Sequence, residues 1–168
     1  MTGLPVPELH PACLPVSFLL GTWRGPGVVG YPTIEDRTFV QELTFDHVGK
    51  PYLGYRSRAW LTDEDGEPVA HAARESGYWR AVGGGRLEVV FAHPTGIAEI
   101  WYGEVTGTRI ELATDAVVRT ASAKEVTAGK RLYGLVEGDL AYAYDLAAVG
   151  QPLQPHTSAR LSRVRETS

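Results

Sequence analysis

Hydrophobic and polar residues alternate along most of this 168-residue chain, from Thr22 to Val164. Alternation with a period of two is typical of β-strands that bury one face. Within residues 37–46 the predicted buried face carries the odd-numbered side chains, which are Phe39, Gln41, Leu43 and Phe45. Within residues 140–149 the same pattern places Leu140, Tyr142, Tyr144 and Leu146 on one face, and Asp145 with alanines on the other.

Short turn sequences rich in glycine separate these segments, for example Asp63–Gly66, Gly83–Gly85 and His93–Gly96. The first strand starts at Thr22, and later ones are predicted at 37–46, 52–62, 69–81, 86–92, 97–105, 109–114, 117–123, 130–136, 140–149 and 156–164. Because no helical pattern lies between them, the connections are those of antiparallel neighbours. The pattern predicts an all-β fold, a closed antiparallel up-and-down β-barrel of about ten strands, wide enough to hold a ligand.

The N-terminal region differs from this pattern. Residues 1–15 are rich in proline and are predicted to form a flexible, irregular segment lying over one barrel opening. Residues 16–20 are apolar and predict a short helical turn before the first strand. We therefore expect a flexible segment over 1–15 and a single barrel domain over 16–168.

Charge and cysteine content exclude several classes of function. The net charge is −4 and no run of five basic residues occurs, which argues against nucleic acid or an anionic membrane as a partner. The single cysteine, Cys13, excludes an internal disulfide and is expected to be a buried, unreactive thiol. With no recognisable signal peptide and no apolar run of about 18 residues, the cytoplasm is the expected compartment.

Sequence motifs for common enzyme chemistry are missing from the chain. There is no phosphate-binding loop, nucleophile elbow or zinc-protease motif. Of the five histidines, His10 falls in the N-terminal segment, His47 and His93 fall in turns and are expected to be exposed, and the face taken by His71 is not determined.

His156 is the histidine with the most specific sequence context. Pro152 and Pro155 restrict the backbone that leads into the last strand, where His156 would lie at a barrel mouth. A neutral imidazole held in this way could be an axial ligand of haem iron. A structural histidine is the alternative that the spacing alone leaves open.

The first strand opens with Gly-Thr-Trp-Arg-Gly-Pro-Gly, residues 21–27. Glycine within a strand marks a bend or a close approach of another chain. Trp23 is expected to be a core residue that plugs one end of the barrel.

Five segments in order resemble the nitrobindins, haem proteins with a lipocalin-like or fatty-acid-binding-protein-like barrel. These are residues 21–27, Tyr-Pro-Thr-Ile at 31–34, Phe-Asp-His-Val-Gly-Lys-Pro at 45–51, Ala-Lys-Glu at 123–125 and Gly-Gln-Pro-Leu-Gln-Pro-His at 150–156. The resemblance spans about residues 10–165.

The resemblance implies one haem b per chain near one barrel opening, with His156 as the only iron ligand from the protein and as the catalytic residue. It places Thr33 beside the haem and Lys124 near a propionate. The motif residues Gly21, Trp23, Gly25 and Gly27 join this predicted cofactor-binding set. A homodimer is one assembly state that it leaves open.

The activity that the resemblance implies is the isomerisation of peroxynitrite to nitrate, together with binding of nitric oxide. Ferric iron would act as a Lewis acid on the peroxynitrite oxygen. The sequence offers no candidate for an acid–base histidine across the haem, so we expect an apolar ligand side. Strict alternation also places His156 on one face with Ser158 and Arg160, an unusually polar setting for a haem ligand.

Two other functions remain as alternatives. One is a metal-free carrier of a fatty acid or another apolar ligand, and the other is a nitric oxide sensor without turnover. Hemin binding separates the carrier from the haem protein, and peroxynitrite decay separates the enzyme from the sensor.

Overall fold

A computed structural model describes residues 3–165 of the chain. It consists of one 3-10 helix followed by ten β-strands. The helix covers Pro11–Leu19. The strands are β1 (Gly21–Tyr31), β2 (Ile34–Asp46), β3 (Tyr52–Thr62), β4 (Pro68–Gly83), β5 (Arg86–His93), β6 (Ile97–Thr106), β7 (Arg109–Arg119), β8 (Val126–Val136), β9 (Asp139–Ala148) and β10 (Gln154–Arg163).

The strands form a closed antiparallel barrel in which each strand pairs with the next along the chain. Pairing of β1 with β10, from Trp23 opposite Arg163 to Val29 opposite Thr157, closes the ring. Closure leaves neither end strand as a free edge. The all-β, up-and-down barrel predicted from the alternating pattern is confirmed.

The inward faces follow the predicted alternation. On β2 the side chains of Phe39, Gln41, Leu43 and Phe45 are all buried. The innermost part of the barrel is filled by aromatic residues that pack edge to face, among them Phe45, Trp79 and Tyr133. This aromatic core makes one half of the barrel solid.

The 3-10 helix covers the end of the barrel where β1 begins. Cys13, Val16 and Leu19 are fully buried on its inner side. The indole N–H of Trp23 donates a hydrogen bond to the carbonyl of Leu19 at 2.9 Å, which joins the helix to the first strand. Trp23 therefore plugs this end, as the sequence predicted.

The helix begins five residues earlier than the predicted helical turn, so the expectation that 11–15 would be irregular is wrong. His10 caps the helix because its Nδ1 accepts a hydrogen bond from the backbone N–H of Ala12 at 3.0 Å. Pro11 sits in the first turn, where the missing N–H of proline costs nothing. Pro11 therefore favours the start of this short helix, and Pro15 lies inside it.

Residues 109–119 form a single strand rather than the predicted pair. Opposite Ile100 and Trp101 of β6 lie Ala116 and Thr114, so Asp115 is an extra residue in β7. Such a β-bulge reverses the alternation for the rest of the strand. This reversal is why the sequence appeared to contain two separate segments here.

Within the part of the chain that the structure describes, residues 3–165, no helix has the length and apolar character needed to cross a membrane.

Candidate cofactor and ligand site

A cavity of about 660 Å³ opens at the end of the barrel opposite the 3-10 helix. Going inward from the opening, the lining changes from apolar to polar, and the solid aromatic core lies beneath. The outer ring of the cavity wall, which we call the apolar rim, consists of Val29, Ile34, Leu61, Ala72, Ile97, Val126 and Leu146. The next ring inward consists of Gln41, Ser57, Glu75, His93, Glu99, Arg131 and Tyr144, and we call it the polar layer.

His156 lines the cavity beside the apolar rim, at the start of β10. Its Nδ1 is 3.0 Å from the carbonyl oxygen of Gly30, so Nδ1–H donates to that oxygen. The nitrogen left for another partner is Nε2. An imidazole held by a backbone carbonyl in this way has a defined tautomer and ring orientation, as metal-binding histidines do.

A β-bulge brings His156 to the cavity. Pro155 pairs with Asp145 and Thr157 pairs with Tyr144, so His156 is the extra residue in β10. Both His156 and Thr157 consequently line the cavity, and Ala159 and Leu161 follow on the buried face. The expectation that His156 shares a face with Ser158 and Arg160 is wrong, because strict alternation does not hold across a bulge.

Two tyrosine rings hold the imidazole from either side. Tyr31 and Tyr144 each meet His156 edge to face, with ring centroids 5.4 and 5.7 Å away. The Tyr31 hydroxyl donates to the carbonyl of Leu146 at 2.9 Å and accepts from the N–H of Ala148 at 3.0 Å. Tyr31 thus connects β1 with β9 across the intervening strand that carries His156.

The electrostatics of His156 favour a neutral ligand nitrogen. Burial lowers the pKa of His156 below its usual value; the hydrogen bond to Gly30 opposes this shift, and the positive charge of Arg131 adds to it. A neutral imidazole keeps the lone pair that binds a metal. Within residues 3–165 no cluster of three or more histidine, cysteine, aspartate or glutamate side chains is arranged to hold a metal ion. A single available imidazole nitrogen, Nε2 of His156, fits a metal that brings most of its own ligands, as haem iron does.

The polar layer is built around an ion pair that crosses the barrel. Arg131 on β8 donates to both carboxylate oxygens of Glu75 on β4, at 2.6 and 2.9 Å. The Tyr55 hydroxyl also donates to Glu75, at 2.7 Å. Burial by itself would raise the pKa of Glu75, but the charge and hydrogen bonds of Arg131 lower it to about 2.

His93 belongs to this layer, and the sequence missed it. His93 Nε2 lies 2.6 Å from Glu99 Oε1, and its side chain is only 16% exposed. The prediction that His93 is an exposed turn residue is wrong, because it is the last residue of β5 and faces inward between β4 and β6. The cavity wall therefore contains a second histidine besides His156, and the apolar ligand side stays a prediction.

Two residues predicted to surround the haem lie in loops at the cavity opening. Thr33 is exposed in the turn between β1 and β2, next to the rim residue Ile34. Lys124 is exposed in the connection before β8, two residues from the rim residue Val126. The structure places both at the end of the barrel that opens beside His156, without giving either a contact with His156.

The cofactor-binding role predicted for the first motif finds no geometric support. Gly21 and Trp23 lie at the closed end, under the 3-10 helix. Gly25 and Gly27 face β10 so closely that an added Cβ would meet Leu161 Cα at 2.9 Å or Ser158 O at 2.7 Å, respectively. Gly25 and Gly27 allow β1 to pack tightly against β10, and none of the four residues lines the cavity.

The remaining candidates lie outside the cavity wall. His71 is exposed on β4, and Asp145 faces the outer surface of β9. The Nδ1 of His47 accepts from the N–H of Gly49 at 3.2 Å, which stabilises the turn before β3. Cys13 is buried, and this burial raises the pKa of its thiol.

A closed ten-stranded barrel, entered beside a histidine with one nitrogen fixed and the other available, defines a β-barrel protein that holds a prosthetic group. The chain belongs to the family described as THAP4-like, heme-binding beta-barrel domain, whose profile matches residues 12–163. The resemblance to nitrobindins drawn from the motifs is confirmed by this match and by a relative from Kineococcus radiotolerans, named ferric nitrobindin-like protein. That relative is 46% identical over 166 residues, covering 90% of this chain and 92% of its own length.

Other relatives cover nearly the whole chain. A protein of Nocardioides sp. named peroxynitrite isomerase is 59% identical over 156 residues, which are 93% of this chain and 95% of the relative. The crystal structure of Rv2717c from M. tuberculosis has 42% identity and a TM-score of 0.84, and the match covers 94% of this chain and all of that one.

Proposed function

We propose that this protein binds one haem b through Nε2 of His156 and isomerises peroxynitrite to nitrate. The observation that carries the proposal is the hydrogen bond from Nδ1 of His156 to the Gly30 carbonyl, beside a cavity with an apolar rim. The family match and relatives named peroxynitrite isomerase support it.

The residues of the rim prepare the site for a flat apolar cofactor. With a cofactor bound, side chains such as Ile34, Ile97 and Leu146 would bury apolar surface and keep water away from its face. Tyr31 and Tyr144 fix the plane of the imidazole. When bound, a ferric haem with one protein ligand supplies a Lewis-acidic metal with an open position for a small ligand.

Cations at the opening suit the carboxylates of such a cofactor. Arg37 and Arg74 line the cavity, and both are exposed. Together with Lys124, these arginines would attract the negatively charged haem propionates at the solvent-exposed opening. Thr33, in the neighbouring turn, stays a predicted contact of the cofactor edge.

Hemin titration of the purified protein tests the cofactor assignment. We expect a Soret band that saturates at one hemin per chain and that His156→Ala removes, because no other cavity histidine has a nitrogen prepared by a backbone carbonyl. His71→Ala, an exposed histidine of β4, is the matched control and should bind hemin as the wild type does. Saturable hemin binding by the His156→Ala variant with an unchanged spectrum would contradict the assignment.

Stopped-flow mixing with peroxynitrite tests the reaction. The ferric protein should speed peroxynitrite decay above the buffer rate and yield nitrate rather than nitrite. Decay at the buffer rate, with nitric oxide still bound, would leave the sensor as the function. Binding of nitric oxide to the same iron is part of our proposal.

A metal-free carrier is the second candidate, because the apolar rim would also accept a hydrocarbon. The polar layer argues against it, since a long alkyl chain entering the cavity would reach the Glu75–Arg131 ion pair. Fatty acid binding without any Soret band would favour the carrier.

The assembly and the compartment stay predictions. Light scattering, which measures the molar mass of the protein in solution, tests the homodimer. Fractionation of cells tests the cytoplasmic location. The single Cys13, buried as a thiol, is compatible with a reducing compartment.

A further inference from the structure

The polar layer contains a second histidine with one nitrogen fixed and the other open. Nε2 of His93 is held by Glu99 at 2.6 Å. Nδ1 of His93 has its nearest acidic oxygen, Oε2 of Glu75, at 3.7 Å, which is too far for a hydrogen bond. His93 lines the cavity, so Nδ1 is available to a ligand inside it.

The surroundings of His93 suit a group that gains and loses a proton. Glu99 is buried on β6, with a side chain only 1% exposed, and it orients the imidazole as the carboxylate does in a catalytic triad. Glu75 on β4 is the other charged group that faces the ring, and Arg131 on β8 lies behind Glu75. Carboxylate oxygens of Glu75 and Glu99 therefore flank both nitrogens of the ring.

We propose that His93, positioned by Glu99, is the acid–base residue for small ligands in this cavity. This inference rests on the proposed function, and it identifies the residue that takes the proton from the protonated form of the substrate. The O–H bond of peroxynitrous acid breaks, its proton joins the lone pair of Nδ1, and the peroxynitrite anion remains in the cavity. No electron is transferred, and the proton returns to solvent from Nδ1 when nitrate leaves.

The test uses two probes that differ in whether they carry a proton. Hydrogen cyanide has to lose its proton to bind ferric iron as an anion, whereas carbon monoxide binds ferrous iron with no proton to lose. In the hemin-loaded protein, we expect His93→Gln to slow cyanide association by about 100-fold or more, the usual range for a lost general base. Carbon monoxide association should stay within about twofold of the wild type, because the change leaves the cavity open.

Two further variants separate proton transfer from packing. Glu99→Gln keeps an acceptor for Nε2–H but removes the charge, so it should slow cyanide association less than His93→Gln does. His71→Gln, exposed on β4, should change neither rate. The inference is overturned if His93→Gln leaves cyanide association unchanged, or slows cyanide and carbon monoxide equally.

A measurement on the hemin-free protein keeps this inference separate from the proposed function. Imidazole nitrogen NMR should show His93 with its proton on Nε2, and Glu99→Leu should abolish that preference. A proton on Nδ1 in the wild type would overturn the inference even if hemin binds. Absence of a Soret band would instead contradict the proposed function, while the NMR result still decides the geometry of the His93–Glu99 pair.

Discussion

The position of His156 depends on two groups that do not line the cavity, the Gly30 carbonyl and the Tyr31 side chain. Its Nδ1 is held by Gly30, and its ring is held by Tyr31, whose hydroxyl joins the backbones at Leu146 and Ala148. A metal ligand on a strand end needs such support, because an imidazole that rotates freely loses affinity.

Replacing Tyr31 with phenylalanine tests this support. The N–H of Ala148 and the carbonyl of Leu146 would lose a buried partner, so we expect the free energy of unfolding to fall by about 1–3 kcal/mol. Urea unfolding measures it, with Tyr102→Phe as the control because Tyr102 is 49% exposed. Equal stability of the two variants would show that the Tyr31 hydroxyl bonds contribute nothing.

The site residues differ in how far the sequence could reveal them. His156 was predictable because two prolines and a motif surround it in sequence. His93, Glu75, Glu99 and Arg131 come from four different strands, and their contact depends on barrel closure and pairing register, which alternation alone does not specify. The signal that existed was Glu99 and Arg131 at inward positions of otherwise apolar strands, since a buried charge requires a partner.

Among the secondary-structure elements, the 3-10 helix contributes most to closing the solid end. Its inner residues join the same hydrophobic cluster as Trp23 and Leu53. The proline content of this segment predicted irregular chain, but the burial of Cys13, Val16 and Leu19 holds it as a helix on the barrel. Proline content was therefore a poor predictor of secondary structure here. The strands, by contrast, were predicted because ten hairpin-linked segments repeat one alternating pattern.

Replacing Leu19 with alanine tests the helix as a structural element. Leu19 is fully buried, so the loss of its side chain should lower the free energy of unfolding by about 2–5 kcal/mol. Leu14 of the same helix is 61% exposed, and Leu14→Ala should cost less than about 0.5 kcal/mol. Urea unfolding of both variants checks the difference, and a cost below about 1 kcal/mol for Leu19→Ala would mean that the helix is not packed on the barrel.

At the scale of the whole molecule, the barrel has a solid half and a hollow half, separated by the polar layer. The Glu75–Arg131 pair joins opposite walls at this boundary, and Arg131 also lies over the rings of Phe91, Trp101 and Tyr144 at 4.2–4.9 Å. Removing one partner of a buried ion pair leaves an uncompensated charge and costs about 3–5 kcal/mol.

The stability of the barrel should therefore depend on pH in a defined window. The folded state lowers the pKa of Glu75 from its usual 4.5 to about 2, so the unfolded state binds more protons between these values. The stabilisation is complete above pH 4.5 and is lost as the pH falls towards 2. As the pH falls from 4.5 towards 2, the difference in unfolding free energy between the wild type and Glu75→Gln should therefore become smaller.

Urea unfolding at pH 5 and pH 3 measures that difference. The control is Glu88→Gln, which breaks the exposed Arg80–Glu88 pair and should cost less than about 1 kcal/mol at either pH. A Glu75→Gln difference that stays constant between the two pH values would contradict the assigned role of the ion pair.

The extra residue in β10 has a consequence for how such a barrel changes over evolution. Only this local irregularity turns residue 156 from the outer surface to the interior, while the pairing of β10 with β1 stays regular from Trp23 to Val29. Deletion of one residue from the Pro155–Thr157 segment would remove the bulge, so that side chains along β10 would alternate strictly between the inside and the outside of the barrel. A haem protein could thus become an ordinary hollow barrel, or arise from one, by a change one amino acid in length.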